Sequence, residues 1–381
     1  MKEIRLHGET IVTGMGSVQH ISKLDCKRVF VVTGQSSVFE NGTIDKITRL
    51  LADKGCEYKI HSGIKKNPET KAVLDGVAEM REFQPDTIIA VGGGSAIDAA
   101  KVMAVFYDFP ELTFEKAAEG NIPDKRKNIR FVAIPTTSGT GTEVTRSAVI
   151  TYRTSNIKIG LKSQAFIPDI AILDGELTLT MPKHVAAETG MDAMTHAVEC
   201  YINKNLDDFA ECLAIGAVKG LFEYLPSSCI KGDAVSREKV HNYQCIAGSA
   251  FANVGLGLAH GISHSIGGLL NYGHGLINAV ALPYVMQYNS RDAEVKKRLK
   301  RLAKAIEVED FIASIKELNT RIGIPDSLEE MGIDKDTFKK NFDALVDNSL
   351  KGSTRVNPVE VTRVDMEKLL KAMFEGKEAN I

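Results

Sequence analysis

The chain has 381 residues, 25% of them charged, and a formal net charge of -2 at pH 7. A chain longer than about 300 residues exceeds what one hydrophobic core usually holds, so the length favours two domains. A net charge this close to zero gives no excess of positive charge for nucleic acid or an anionic membrane. We therefore expect neither as a partner and expect small-molecule chemistry instead.

The first half of the chain alternates the patterns of strands and helices. Strand patterns occupy residues 28–34, 57–63, 86–94 and 130–137, and helix patterns occupy residues 43–55, 69–83 and 95–108. Because right-handed crossovers place helices on both faces of a parallel sheet, this alternation predicts an α/β domain with a parallel, Rossmann-like sheet. We predict that residues 1–175 form this nucleotide-binding domain.

A glycine-rich turn, GGGSAID, follows the third predicted strand at residues 92–98. Glycine lets the backbone approach a phosphate, and the first turn of a helix attracts an anion. Ser95 has the character of an N-cap, with Asp98 at capping-box spacing, so a tight turn before a well-capped helix is the alternative. PTTSGTGTEVT, at residues 135–145, adds hydroxyl and amide donors at the next strand end. Together the two loops predict a nucleotide site at the carboxyl ends of the strands.

The strand signals stop near Leu177, and helical periods follow. They occupy residues 182–204, 207–225, 239–255 and 294–307. We therefore predict an all-α C-terminal domain over residues 176–381. Between Lys239 and Arg291 there is no Asp, Glu, Lys or Arg, but Asn, Gln, Ser, His and glycine interrupt the stretch. We expect it to form buried interior around a site rather than a membrane span.

Histidines and one aspartate recur in this second half at helical spacing. Asp192 and His196 are four residues apart, His260 and His264 repeat that spacing, and His274 follows a glycine-rich turn. Carboxylate and neutral imidazole are ligands of first-row divalent metals, and a charge-poor interior needs a cation to accommodate a buried aspartate. We interpret the group as a metal site, with a buried hydrogen-bonded cluster as the alternative.

The cysteines bear on two questions, metal binding and the redox state of the compartment. Cys200 continues the spacing of Asp192 and His196 by four residues and competes as a ligand, but a thiolate favours a closed zinc site, so we interpret it as helix packing. The six cysteines are scattered without a Cys-x-x-Cys pair, which favours reduced thiols in the cytoplasm. The first residues, MKEIRLHGETIVTGMGSV, contain no predicted secretory signal.

Five motifs, taken in order, resemble those of the iron-containing (group III) alcohol dehydrogenases. They are GGGSAID, PTTSGTGTEVT, IPDIAILD, TGMDAMTHAVE and GLAHGISHSIGGLLNYGHGLINAVALPYV. The resemblance spans nearly the whole chain and is most specific over residues 91–289. It implies a dehydroquinate synthase-like architecture. It also implies Asp192, His196, His260 and His274 as ligands of Fe²⁺, with Zn²⁺ possible, and His264 as a further active-site histidine beside the metal.

The same resemblance implies a set of cofactor-binding residues. They are Gly93, Gly94, Ser95 and Asp98 in the pyrophosphate loop, Thr136, Thr137 and Thr140 in a second loop, Lys158, and Asn67 in KKNPET. At the end of the first predicted strand, Gly34 stands where NAD-specific members resemble one another in carrying Asp, and Ser36 offers an uncharged donor. We expect NADP(H) to be modestly preferred over NAD(H). Alternatively, Gly34 only makes the turn and Glu40 supplies the carboxylate.

The resemblance implies reversible hydride transfer between a small primary alcohol or diol and NAD(P). The metal would polarise the hydroxyl, and His264 would either relay the proton or only support the ligands. Three alternatives remain: a metal- and NAD-dependent lyase of the dehydroquinate synthase type, glycerol dehydrogenase-like polyol oxidation, and a non-catalytic metal-stabilised interaction protein. Gly175 after Asp174, and KSQAF, depart from the family pattern and leave substrate preference open. We also expect a homo-oligomer, a dimer.

Overall fold

The structure is a computed structural model that describes residues 3–152 and 157–377, apart from the side chains of Ile157 and Lys158. The chain divides into two compact units, Met1–Thr180 and Met181–Ile381. The domain boundary predicted from the sequence lies after residue 175, a few residues before this division.

Unit 1 contains strands and helices that alternate along most of its length. The strands are β1 (Thr10–Thr13), β2 (Arg28–Thr33), β3 (Glu57–His61), β4 (Thr87–Gly92), β5 (Arg130–Pro135), β6 (Ser147–Tyr152), β7 (Ile157–Lys162) and β8 (Ile170–Leu173). The α-helices are α1 (Ser37–Glu40), α2 (Thr43–Asp53), α3 (Thr70–Phe83), α4 (Gly94–Asp108) and α5 (Phe114–Ala118).

Six of the strands form one sheet in the order β1-β8-β5-β4-β2-β3, and all neighbours in it run parallel. Alternate residues of the central strands pack into different hydrophobic clusters: Phe30 and Ile88 belong to one, and Val31 and Ile89 to the other. A parallel sheet that is covered on both faces is built from continuous apolar runs. The predicted parallel α/β architecture is therefore confirmed.

The sheet order changes direction between β2 and β4. β3 lies outside β2 at one edge, whereas β4, β5 and β8 continue on the other side. Open α/β sheets bind ligands outside the carboxyl ends of their strands at such a switch point. The strand ends here carry Gly34 after β2, the glycine turn after β4, and residues 136–140 after β5.

The start of α4 differs from its prediction. The helix begins at Gly94, and Gly93 is its N-cap with no side-chain cap hydrogen bond, so the predicted capping box of Ser95 and Asp98 is wrong. Asp98 bonds instead to residues beyond β5, as described below. Gly92 has a φ of 146°, which side chains other than glycine rarely adopt. The glycine turn therefore leads into α4, and no side chain caps the N–H groups of the first turn of this helix.

Two groups of strands in unit 1 were not predicted from the sequence. β6 and β7 form a separate antiparallel pair, and β1 and β8 complete one edge of the sheet. β1 and β8 have four residues each, and β1 is half-buried to exposed. A strand this short gives too few alternations for its period to be recognised.

Unit 2 is helical throughout its described residues. The α-helices are α6 (Lys183–Ile202), α7 (Asp208–Ile230), α8 (Ala234–Val254), α9 (Leu258–Leu270), α10 (His274–Asn289), α11 (Ala293–Ala305), α12 (Phe311–Ile322), α13 (Lys335–Ser349) and α14 (Arg363–Glu375). They share one hydrophobic cluster that takes residues from α6 to α14. The predicted all-α character of this part is confirmed.

Four of these helices, α6, α7, α8 and α11, match predicted helical segments. α9 and α10 did not show a helical period because apolar residues lie nearly all round them and leave no polar face. Among the described residues no single helix is long and apolar enough to cross a membrane, although α8 with α9, bent by 102°, passes that test as a pair.

Candidate metal and nucleotide sites

Three of the predicted metal ligands meet inside unit 2. Asp192 comes from α6, His260 from α9 and His274 from the first position of α10. One potential ligand atom from each lies within 4.8 Å of the other two. His260 Nε2 is 3.8 Å from Asp192 Oδ1, and His274 Nε2 is 3.7 Å from the same oxygen. Asp192 and His260 are buried and His274 is half-buried, so the cluster is partly open to solvent.

Hydrogen bonds assign the imidazole tautomers of two of these residues. His260 Nδ1 lies 2.7 Å from the Glu199 carboxylate and donates to it, which leaves a lone pair on Nε2. The Ser263 hydroxyl lies 2.9 Å from the backbone oxygen of His274, which can only accept, so the hydroxyl proton is used there. His274 Nδ1, at 2.6 Å from Ser263 Oγ, is then the donor. Both Nε2 atoms therefore face Asp192 as acceptors.

This donor set fits a divalent cation. Asn278 Nδ2 reaches all three acceptors, at 2.7 Å from Asp192 Oδ1, 3.1 Å from His260 Nε2 and 3.2 Å from His274 Nε2. The Asn278 amide nitrogen carries only two hydrogens, so it cannot satisfy all three acceptors. A carboxylate and two imidazole lone pairs that converge in a buried region are the ligands that first-row metals prefer.

The other predicted histidines lie around this cluster. His196, on α6, stacks on His260 with ring centroids 4.6 Å apart and on Phe251 at 4.3 Å. His264 is exposed and stacks on His274 at 5.0 Å. Cys200 is buried in the hydrophobic cluster of unit 2, as expected for helix packing.

Two ionisable groups at this cluster are shifted by burial. Desolvation, followed by the charges of the neighbouring histidines, holds the pKa of His260 well below its usual value, so its imidazole is neutral near pH 7. Burial also raises the pKa of Glu199 to about 7, against the opposing effect of backbone N–H groups that bond to it. A neutral imidazole is the form that binds a metal.

In unit 1 the two predicted nucleotide loops contact each other. A Cβ placed on Gly93 would lie 3.4 Å from Thr137 Oγ1, and one on Gly94 would lie 2.9 Å from Thr140 Cγ2. Thr136 N donates to Gly92 O at 3.0 Å. Close packing against Thr140 therefore requires glycine at position 94, independently of any phosphate. The structure thus brings Gly93, Gly94 and the threonines to one end of the sheet.

A buried ammonium group supports these loops. Lys101 Nζ, on α4, donates to Thr142 Oγ1 at 2.7 Å, Thr145 O at 2.9 Å and Ser147 O at 2.7 Å. Asp98 accepts from Thr142 Oγ1 at 2.6 Å, and its other oxygen accepts from a backbone N–H at 2.9 Å. Both oxygens of Asp98 are thus used within the chain. These bonds give Asp98 a structural role.

The remaining predicted cofactor residues lie in unit 1 outside the contacts described above. Gly34 directly follows β2, Ser36 is the exposed N-cap of α1, and Ser95 is half-buried in the first turn of α4. Asn67 is half-buried between β3 and α3 and has a left-handed φ of 60°. The backbone of Lys158 belongs to β7, but its side chain is outside the described part of the structure.

The sequence interpretation missed four supporting residues. Glu199, Ser263 and Asn278 contact the metal-ligand cluster, and Lys101 contacts the second loop. Each had a usable signal, because Glu199 and Asn278 lie three and four residues after His196 and His274, and Lys101 lies three residues after Asp98. Such spacing puts side chains on one helix face.

Two family signatures cover almost the whole chain. Residues 9–175 match the family Iron-containing alcohol dehydrogenase, and residues 186–374 match the Fe-containing alcohol dehydrogenase family, C-terminal. The chain belongs to the iron-containing alcohol dehydrogenase family. The expected family is thereby confirmed.

Individual iron-containing alcohol dehydrogenases agree with this assignment. The chain is 38% identical over 379 residues to an NADPH-dependent butanol dehydrogenase of Clostridium saccharobutylicum, covering 97% of each protein. It is 33% identical over 378 residues to a 1-propanol dehydrogenase of Citrobacter freundii, covering 96% of this chain and 98% of that protein. The solved structure of an iron-containing alcohol dehydrogenase from Thermococcus thioreducens matches with a TM-score of 0.90 at 31% identity, over 99% of this chain and 100% of that one.

Family membership confirms the dehydroquinate synthase-like fold and makes the chain an oxidoreductase that acts on alcohols. It also supports a metal and a nicotinamide as cofactors, in keeping with the ligand cluster in unit 2. The lyase and the non-catalytic protein are therefore set aside as alternatives.

Proposed function

We propose that this chain transfers hydride between small primary alcohols or diols and NAD(P), and reduces the corresponding aldehydes. The observation that carries the proposal is the convergence of Asp192, His260 and His274 on one point in unit 2. The substrate range is supported by similar proteins, among them a butanol dehydrogenase, a 1-propanol dehydrogenase and a 1,3-propanediol oxidoreductase. Polyol oxidation of the glycerol dehydrogenase type is the second candidate.

One divalent metal would be held by Asp192, His196, His260 and His274. Three nitrogens and one oxygen suit Fe²⁺ or Zn²⁺, and because affinity order alone favours zinc, iron would depend on supply. When bound, such a cation is a Lewis acid that lowers the pKa of a hydroxyl. His196 joins the set on the strength of its ring lying 4.6 Å from that of His260.

Residues of unit 2 set the protonation and orientation of the proposed ligands. Burial keeps His260 neutral, and hydrogen bonds to Glu199 and Ser263 hold His260 and His274 with their Nε2 atoms inward. His264, exposed and stacked on His274, is placed to move a proton between the cluster and solvent, because imidazole titrates near neutrality. A purely supporting role for His264 is the alternative.

The nicotinamide cofactor would bind at the carboxyl ends of β2, β4 and β5. Its pyrophosphate would lie on the uncapped first turn of α4, with Gly93, Gly94 and Ser95, facing Thr136, Thr137 and Thr140. Asp98 would act through the second loop rather than by contact. Gly34, Ser36, Asn67 and Lys158 complete the proposed set. The chemistry the cofactor supplies is hydride transfer.

We further propose a modest preference for NADP(H). Gly34 and the exposed Ser36 put no carboxylate directly after β2, so the strand end itself does not repel a 2′-phosphate. The NADPH-dependent butanol dehydrogenase supports this direction. A carboxylate supplied by Glu40, exposed at the end of α1, is the alternative. The protein is also proposed to be a cytoplasmic homodimer. The six cysteines, all in the described part of the chain, form no disulfide, and Ile230 and Val235 expose apolar side chains at the end of the α7–α8 pair.

Gly34→Asp tests both the reaction and the cofactor choice. A Cβ at Gly34 would have Ile64 O as its nearest neighbour, at an ordinary 3.8 Å, so the variant should fold. After anaerobic loading with Fe²⁺ or Zn²⁺, kcat/KM is measured for propanal, butanal and dihydroxyacetone with NADH and NADPH. We expect butanal to be reduced, NADPH to be preferred by the parent, and the aspartate to lower NADPH use at least tenfold.

Two outcomes would contradict the proposal. Turnover of dihydroxyacetone alone would favour polyol chemistry over small primary alcohols. A parent that prefers NADH, with NADPH use unaffected by Gly34→Asp, would show that residue 34 does not face the adenosine ribose.

A further inference from the structure

Glu199 joins two helices of unit 2 at the metal-ligand cluster. It is buried on α6, on the same helix face as Asp192 seven residues earlier. Its carboxylate accepts three hydrogen bonds from the start of α9: from Gly257 N at 2.9 Å, Ala259 N at 2.6 Å and His260 Nδ1 at 2.7 Å. One side chain therefore fixes the helix start and the ring of a proposed ligand together.

The surroundings explain why a carboxylate is needed. Gly257 is the N-cap of α9 and makes no side-chain cap bond of its own, so Glu199 of α6 caps that helix from outside. A negative charge is favoured at a helix N-terminus. Two carboxylate oxygens offer enough lone pairs for all three donors. Gly257 also has to be small, because a Cβ there would lie 3.0 Å from Glu199 Oε1.

We propose that Glu199 is a positioning residue that holds the His260 proton on Nδ1, so that Nε2 keeps the lone pair that binds the cation. The ring has no such preference by itself, since either nitrogen of a neutral imidazole can carry the proton. The ionised Glu199 carboxylate can only accept, so in that state it decides the tautomer. Because His260 matters here as a proposed metal ligand, the role of Glu199 rests on the proposed function.

Glu199→Gln reverses this preference with little change of shape. Gly257 N and His260 Nδ1 bond to one carboxylate oxygen, Oε2, and Ala259 N bonds to the other, Oε1. With the amide oxygen kept on Ala259 N, the shortest of the three bonds at 2.6 Å, the amide N–H₂ takes the place of Oε2. The amide N–H₂ then faces His260 Nδ1, which becomes an acceptor, and the ring proton moves to Nε2. A proton on Nε2 occupies the position where the ligand bond forms.

The test is run at about one pH unit above the Glu199 pKa of about 7, where the carboxylate is ionised. It measures zinc affinity by competition with a chromogenic chelator, and ring tautomers in ¹⁵N-histidine-labelled full-length protein without metal. We expect Glu199→Gln to bind zinc about 10- to 100-fold more weakly than the parent. The ¹⁵N signals of His260, assigned from the His260→Gln spectrum, should change from the Nδ1–H to the Nε2–H tautomer.

Two control variants separate positioning from folding. Asn357 Oδ1 accepts from Leu258 N at 3.3 Å at the same helix start, so Asn357→Ala weakens the start of α9 without contacting His260. Glu223→Gln changes an exposed carboxylate on α7. Both should keep the parental tautomer and, within about threefold, the parental zinc affinity.

Three results would overturn the role of Glu199: an unchanged His260 tautomer in Glu199→Gln, parental zinc affinity in that variant, or an equal loss in Asn357→Ala. A parent that shows the Nδ1–H tautomer yet binds no zinc would instead contradict the proposed function, because the tautomer is read without metal.

Discussion

Lys101 places an ammonium group in the interior of unit 1 with no exposed surface. Its donors are matched by Thr142 Oγ1, Thr145 O and Ser147 O. Desolvation lowers the pKa of Lys101 to about 8, against the opposing charges of Asp98 and Glu143. The lysine thus fixes the segment after β5 to α4 and makes unit 1 sensitive to alkaline pH.

The sign of that sensitivity follows from proton binding. Between pH 8 and about 10.4, the usual lysine pKa, the unfolded chain keeps a proton on residue 101 that the folded chain has lost. The free energy of unfolding therefore rises with pH in this window, by at most ~1.4 kcal/mol per pH unit from this group. Below pH 8 both states are protonated and the contribution is constant.

Lys101→Met should remove that rise and lower stability at pH 7, because Thr145 O and Ser147 O lose a buried donor. Denaturant unfolding followed between about pH 8 and 9.5, below the usual lysine pKa, measures this change. Lys71→Met, at an exposed position of α3, is the control. The same pH slope in Lys101→Met as in the parent would mean that Lys101 does not titrate in this range.

At this scale the sequence predicted the ligand types better than their supports. His260 and His274 are recognisable because imidazoles are rare in apolar segments, and the structure brings both to Asp192. Glu199 was overlooked because a glutamate on a helix is usually solvated, although its spacing from His196 places both on one helix face. Its bonds to the start of α9 are seen only in the fold.

Helix α4 is the element on which the cofactor proposal depends. Its N-cap, Gly93, has an extended conformation with φ −73° and ψ 179°, which any residue adopts. A Cβ there would approach Thr137 Oγ1 to 3.4 Å, which needs only a small adjustment. The uncapped N–H groups of α4 are thus open to a side chain at position 93 as well as to a phosphate.

Gly93→Asp should keep the fold and abolish cofactor binding. An aspartate at the N-cap bonds the first turn of the helix, contributing roughly a few tenths of a kcal/mol relative to glycine, and its charge repels the pyrophosphate. Gly93→Asn is the matched control, since it caps the helix without the charge and should bind the cofactor more tightly than Gly93→Asp. Fluorescence titration with NADPH measures both. Equal affinity in Gly93→Asp and the parent would place the nucleotide elsewhere.

Element prediction succeeded for strands that are buried on both faces and failed for a helix that carries no charged face. β2 and β4 are continuous apolar runs, as a covered parallel strand requires. α9 carries glycines and no charge, so its helical period could not be told from a buried loop. α12, α13 and α14 were not predicted, although each is preceded by an N-cap residue whose side chain caps it: Asp310, Asp334 and Thr362.

The whole chain divides its chemistry between two units that each have their own interior. Unit 1 offers glycine and threonine at the ends of parallel strands, and unit 2 offers carboxylate and imidazole on packed helices. The stretch between Lys239 and Arg291 lacks formal charge because α9 and α10 are the interior that surrounds the ligand cluster. A single cation there would serve both as the compensating charge for Asp192 and as the catalytic group.

Metal content and turnover measured on the same samples test this account most directly. The parent, His260→Ala and His274→Ala are loaded anaerobically with Fe²⁺ or Zn²⁺, desalted, analysed for metal, and assayed for butanal reduction with NADPH. The account predicts one metal per chain and turnover in the parent, with at least a hundredfold loss of kcat and substoichiometric metal in both variants. Full metal content in both variants, or undiminished turnover by a metal-free parent, would contradict it.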